Sequence, residues 1–123
     1  MDACQVNFMI RSEIDVTAIN AHAEEAAELL SALANAKRLM ILCNLLKSEM
    51  AVMPLADAVG MNQSALSQQL SKLRALRLVA TRRDGRTIYY RLASVHVAKI
   101  LEALYGLYCG PDGQAQDELS EAA

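Results

Sequence analysis

The sequence predicts a mainly α-helical domain with one small β-hairpin, and three features carry that prediction. Apolar residues recur at helical spacing from Ile19 to Leu73, with breaks at Asn35, Pro54 and Gly60. One pair of alternating, strand-like runs follows, joined at Asp84-Gly85. A last helical stripe closes the pattern between Val97 and Tyr108. With 123 residues, 54% of them hydrophobic and 21% charged, the chain has material for one core and hardly for two, and bulk disorder is excluded. No apolar run reaches the ~18 residues that cross a bilayer, and no basic-then-apolar opening precedes Arg11, so the expected place is the cytoplasm, with no membrane partner. Three well-separated cysteines, an odd count, favour reduced thiols over a disulfide scaffold.

Residues 1–16 read as a flexible leader, 17–109 as the domain and 110–123 as an acidic, disordered tail. Thr17 can cap a first helix whose apolar positions Ile19, Ala23, Ala26, Leu30 and Leu33 step by four and three. Asn35 can cap a second, from Ala36 to about Lys47, with Leu39, Leu42 and Leu46 on one stripe and Ile41 and Leu45 on the adjoining one. Pro54 suits the first turn of a short third helix, Leu55 to Val59, and Gly60 suits its left-handed exit. A fourth follows within two or three residues, with Leu66, Leu70 and Leu73 inward and Ser64, Ser67, Gln68, Ser71 and Lys72 outward. Strands Leu78 to Arg83 and Arg86 to Leu92 meet at a two-residue Asp84-Gly85 turn, with Ile88, Tyr90 and Leu92 inward. Ser94 can cap the last helix, with Val97, Leu101, Leu104 and Tyr108 as its stripe and Gly110-Pro111 as its stop.

Two helices joined by a short glycine-bearing turn, the second with a polar outer face, have the form of a helix-turn-helix. That outer face is informative because solvated helix surfaces favour Glu and Lys, whereas short uncharged donors and acceptors can meet base edges without desolvating a carboxylate. Gln63, Ser64, Ser67, Gln68, Ser71 and Lys72 are the expected contacts to DNA. Arg82, Arg83 and Arg86 gather at the hairpin tip, as a wing resting on a phosphate backbone requires, so the fold class is a winged helix-turn-helix. The charge is segregated to match: Asn62 to Arg91 carries a net +6 and the rest of the chain −8, which together make the formal −2. One block is suited to an anion, while the remainder would repel a polyanion and help to orient the encounter; a merely solvated face is the competing explanation.

The runs Leu33-Ala34-Asn35-Ala36-Lys37-Arg38-Leu39, Gln63-Ser64-Ala65-Leu66-Ser67-Gln68-Gln69-Leu70-Ser71-Lys72-Leu73-Arg74 and Arg82-Arg83-Asp84-Gly85-Arg86-Thr87-Ile88-Tyr89-Tyr90 together resemble the ArsR family of bacterial winged-helix repressors. The resemblance spans about Ala26 to Cys109 and implies a homodimer joined through the first and last helices. It also implies repression by binding a two-fold-related, double-stranded operator, relieved by an inducer. Physically, amphipathic helices at both ends of a small chain need a partner surface, and a two-fold dimer would set two recognition helices one DNA turn apart.

Many members of this family sense metals, through a Cys-x-Cys pair on the third helix or Asp and His ligands on the last. Here the third helix reads Leu55-Ala56-Asp57-Ala58-Val59, and the last carries a single histidine, His96. Cys4, Cys43, Cys109, His22 and His96 give no evident three- or four-ligand set, so neither a metal nor any other cofactor is expected. One cysteine on the second helix, Cys43, and one ending the last, Cys109, resemble the dithiol branch that answers sulfide-derived persulfides. The resemblance implies that these two thiols sense reactive sulfur species by closing a polysulfide bridge. Cys4 has no counterpart there and is taken as incidental. The helix-turn-helix also resembles the nodulation-gene repressors, which lack such a pair, so cysteines that merely pack remain an alternative, as does a metal-responsive repressor. A thiol enzyme is remote, because no Cys-His-acid constellation or phosphate-binding glycine loop is visible.

Overall fold

The computed structural model describes residues 13–110, which divide into two compact units parting between Ala32 and Leu33. In the first, the predicted single helix is two: α1 (Val16–Asn20) and α2 (Ala23–Leu33). Asp15, not Thr17, caps the start, because its Oδ1 accepts from Thr17 N at 3.0 Å and Ala18 N at 3.3 Å, which places Thr17 inside the first turn. The break comes where His22 N–H donates to Ile19 O, only three residues back, and tightens the chain out of α register. Glu24 and Glu25 then sit in the first turn of α2, where carboxylates suit the helix dipole. The expected apolar stripe is not covered: Ile19 and Leu30 are exposed, and in α2 only Leu33 is buried.

The second unit begins with α3 (Ala36–Lys47), capped by Asn35, whose Oδ1 accepts from Arg38 N at 3.1 Å. Its buried residues are Ile41, Leu42 and Leu45, so the inward face lies between the two predicted stripes, and Leu39 and Leu46 are half-buried. A two-residue strand, β1 (Met50–Ala51), follows; it is too short to show any alternation in sequence. Helix α4 (Val52–Val59) starts three residues before the expected Leu55. Pro54 is its third residue, where a missing N–H costs nothing because first-turn amides have no partner within the helix. Gly60 leaves in the left-handed region at φ 67°, and the Lys37 ammonium donates to Val59 O at 3.1 Å. Helix α5 (Gln63–Ala75) starts after Met61 and Asn62, with Asn62 Oδ1 accepting from Ala65 N at 2.8 Å.

Strands β2 (Val79–Asp84) and β3 (Thr87–Leu92) form an antiparallel hairpin, and β1 pairs with the far side of β3 to give the order β1-β3-β2. Asp84 lies opposite Thr87, so the two turn residues are Gly85 and Arg86, one later than expected. Gly85 is at φ 64° and Arg86 is not left-handed, the pattern of a type II′ turn, which wants glycine first; Asp84 therefore stays in the ladder. Helix α6 (Val95–Cys109) begins at Ser94, whose Oγ accepts from Val97 N at 3.2 Å. Its stripe is buried at Val97 and Leu101, half-buried at Leu104 and open at Tyr108. The core gathers Ile41 and Leu42 from α3, Leu55 from α4, Leu66, Leu70 and Leu73 from α5, Val79 from β2 and Val97 from α6. Among the described residues no single helix is long and apolar enough to cross a membrane.

Candidate nucleic-acid interface and thiol pair

Helix α5 is held by one face and open on the other. Leu66, Leu70 and Leu73 are fully buried, packed toward α4 and β2, which leaves Gln63, Ser64, Gln68, Ser71 and Lys72 exposed and Ser67 half-buried. None of these six side chains makes a hydrogen bond or ion pair among the described residues, so their polar groups are free for an external partner. A helix offering two Gln amides, Ser hydroxyls and one Lys, on a face that needs none of them for folding, can read base edges and phosphates. The structure adds Gln69 on the flank of the same helix, whose Oε1 is buried without a partner; a glutamine beside the stripe carries no sequence signal of that.

The three wing arginines are not one cluster. Side chains alternate along a strand, so Arg83 shares the face of Ile88, its cross-strand partner, while Arg82 shares the opposite face with Tyr89, and Arg86 sits in the turn. All three are exposed. Arg82 is already engaged: its Nε donates to Glu49 Oε1 at 2.6 Å, and its guanidinium lies 4.5 Å from the centre of the Tyr89 ring. Sequence reasoning missed Glu49 because 33 residues separate it from Arg82 and no local pattern links them. Arg83 and Arg86 remain open toward solvent at the tip.

The thiols lie on α3 and α6, two helices that pack against each other. Cys43 is half-buried, and that burial pushes its thiol up from the ordinary 9.0, because the thiolate loses hydration. Cys109, the last residue of α6, is exposed, and both thiols are free. Cys4 lies outside the described residues. His22 and His96 are exposed, and among the described residues no three His, Cys, Asp or Glu side chains gather closely enough to hold a metal ion.

Residues 35–81, which hold the caps, turn and open polar face just described, match the model of the bacterial regulatory proteins of the arsR family. Nodulation protein NolR of Rhizobium meliloti is 60% identical over 96 residues, 78% of each chain. The chain belongs to the ArsR family. The biofilm growth-associated repressor of Agrobacterium fabrum is 42% identical over 100 residues, 81% of this chain and 86% of that one. The crystal structure of the transcriptional repressor BigR from Xylella fastidiosa superposes with a TM-score of 0.75 at 38% identity, covering 78% of this chain and 98% of that one. As an ArsR-family protein with these relatives, the chain is a winged helix-turn-helix transcriptional regulator.

Proposed function

We propose that the protein is a dimeric repressor that binds a two-fold-related DNA operator and lets it go when Cys43 and Cys109 react with persulfides. The observation that carries DNA binding is the face of α5 that folding leaves unused: Gln63, Ser64, Ser67 and Gln68 meet the bases, and Ser71, Lys72, Arg83 and Arg86 meet phosphates. Arg82 was expected among the phosphate contacts, and its engagement with Glu49 and Tyr89 sets it apart from the other two. The apolar residues left open on α6, Tyr105, Leu107 and Tyr108, and those left open on α1 and α2, support association with a second copy.

In the sensing step the exposed Cys109 thiolate attacks the outer sulfur of a persulfide and expels its thiolate, leaving a persulfide on Cys109. That group attacks the inner sulfur of a second persulfide and expels hydrogen sulfide. Cys43 then attacks the middle sulfur and expels the second thiol, closing a trisulfide. Two protein thiols and two persulfides thus become one trisulfide, two thiols and one hydrogen sulfide, with persulfide as the oxidant. A bridge lengthened by one sulfur suits thiols held too far apart for a disulfide, whose Cα atoms must lie about 4.4–6.8 Å apart. It would tie α3, which leads into the helix-turn-helix, to α6 and bias the spacing of the recognition helices.

The second reading is a repressor whose cysteines only pack, favoured by the 60% identity to a nodulation protein and by a Cys43 thiol that burial keeps protonated. Intact-mass measurement with operator binding separates the two. Cys43→Ser and Cys109→Ser should bind the operator normally in reductant and fail to release it with persulfide, while Cys4→Ser should still release. Release by Cys43→Ser would leave packing as the role of the pair.

A further inference from the structure

The position of Arg82 has a geometric cause. In the sheet order β1-β3-β2, Ala51 lies opposite Tyr89 and Tyr89 lies opposite Arg82, so the three share one row and one face. Because Ala51 is small, the face of the Tyr89 ring stays open, and the Arg82 side chain can lie across it toward β1. There Glu49, two residues before Ala51 and in the link between α3 and β1, accepts from its Nε at 2.6 Å. Glu49 is the better shielded partner, its side chain 28% exposed against 50% for Arg82. The contact spans all three strands and ends on the link that follows α3, adding a side-chain tie to the β1–β3 pairing and to the packing of β2 and β3 on the helices.

We propose that Glu49, Tyr89 and Arg82 form a strut that sets the pitch of the wing against the helix-turn-helix, making Arg82 a positioning residue and not a phosphate contact. The proposal rests on DNA binding through α5 and the wing. A guanidinium whose Nε–H is given to a carboxylate and whose plane lies on a ring has part of its charge neutralised and its orientation fixed by the protein, so it gains less from a phosphate than an unengaged arginine does. Arg83, on the other face, and Arg86, in the turn, carry no such engagement among the described residues and supply the wing's charge to DNA.

The test uses a labelled duplex that the wild-type protein selects from a random-sequence pool, a scrambled duplex for comparison, and affinity measured across a range of salt. Wild type, Glu49→Gln, Arg82→Gln, the double variant, the exchanged pair Glu49→Arg with Arg82→Glu, and Arg83→Ala are compared. The strut predicts that Glu49→Gln and Arg82→Gln weaken binding alike, about two- to fivefold for a partly exposed pair. It also predicts an unchanged salt slope, no further loss in the double variant, and recovery in the exchanged pair. Arg83→Ala, a phosphate contact, should lower the slope by about one per half-site. A slope lowered by Arg82→Gln, with Glu49→Gln binding as well as or tighter than wild type, overturns the strut. Failure of the wild type to select any duplex overturns the DNA-binding assignment beneath it; a selected duplex that binds better than its scrambled form and more weakly to Arg83→Ala upholds that assignment, whatever the Glu49 and Arg82 variants do to the strut.

Discussion

Truncating Gln68 to Ala tests whether the outer face of α5 is a reading face or only a wet one. Gln68 is exposed and its side chain makes no hydrogen bond among the described residues, so the folded protein loses no hydrogen bond when its amide is removed. Ala is slightly the better helix former, by a few tenths of a kcal/mol, so thermal stability should stay within about 0.5 kcal/mol of wild type. If the amide makes a bidentate contact to a base, losing it costs about 1–3 kcal/mol per half-site, roughly a five- to 150-fold loss of affinity for each half-site of the operator. Binding to scrambled DNA, which rests on phosphates, should change little. Leu70→Ala, two residues along the same helix, is the converse. Leu70 is fully buried against the core, so its truncation should cost about 2.7–5.0 kcal/mol of stability, a large part of what a domain of this size has. Fluorescence anisotropy on both duplexes, with thermal unfolding alongside, measures all four quantities. Equal losses by Gln68→Ala on operator and scrambled DNA would refute the assignment of base contacts to this face.

Zinc, cadmium or arsenite at micromolar levels, with reductant present, should leave operator affinity nearly unchanged; a tenfold loss, about 1.4 kcal/mol of coupling, would restore a metal-responsive switch. Burial holds the Cys43 thiol above its ordinary 9.0, so alkylation followed by mass spectrometry at neutral pH should modify the exposed Cys109 well before Cys43. The same shift has a sign in stability: above 9.0 the unfolded chain sheds this proton while the folded chain keeps it, so stability falls as pH rises there, and Cys43→Ser should show a shallower fall in denaturant titrations. Arg77 sits at φ 63° after α5, where Leu78 N–H reaches back to Leu73 O at 3.0 Å; Arg77→Gly should therefore raise stability by about 1 kcal/mol, and a drop in melting temperature would contradict the strain.

Much of the chain was legible because its signals are local. Asn35, Asn62 and Ser94 each lie within reach of an amide three residues on, and Gly60 meets a backbone angle that glycine adopts freely, so caps and exits follow from neighbours alone. The stripe of Leu66, Leu70 and Leu73 set the inner face of α5, and by the geometry of a helix its outer face with it. Thr17, the cap expected from sequence, lies inside the helix because Asp15, two residues earlier, accepts from the Thr17 and Ala18 amides and starts the helix sooner, whereas Asn62, not singled out from the sequence, caps α5. The tertiary structure alone decided what depends on distant residues. Strand β1 exists only because β3, far along the chain, offers its free edge at Tyr90 and Tyr89 to Met50 and Ala51. Arg82 and Arg83, adjacent in sequence and alike in charge, part to opposite faces once the hairpin register is set, and only one of them finds Glu49. The burial of Cys43, and with it the chemistry of its thiol, depends on which side of α3 the core takes. Periodicity records which faces of an element differ, but pairing and desolvation belong to contacts between elements, and those arise only when the chain has closed on itself.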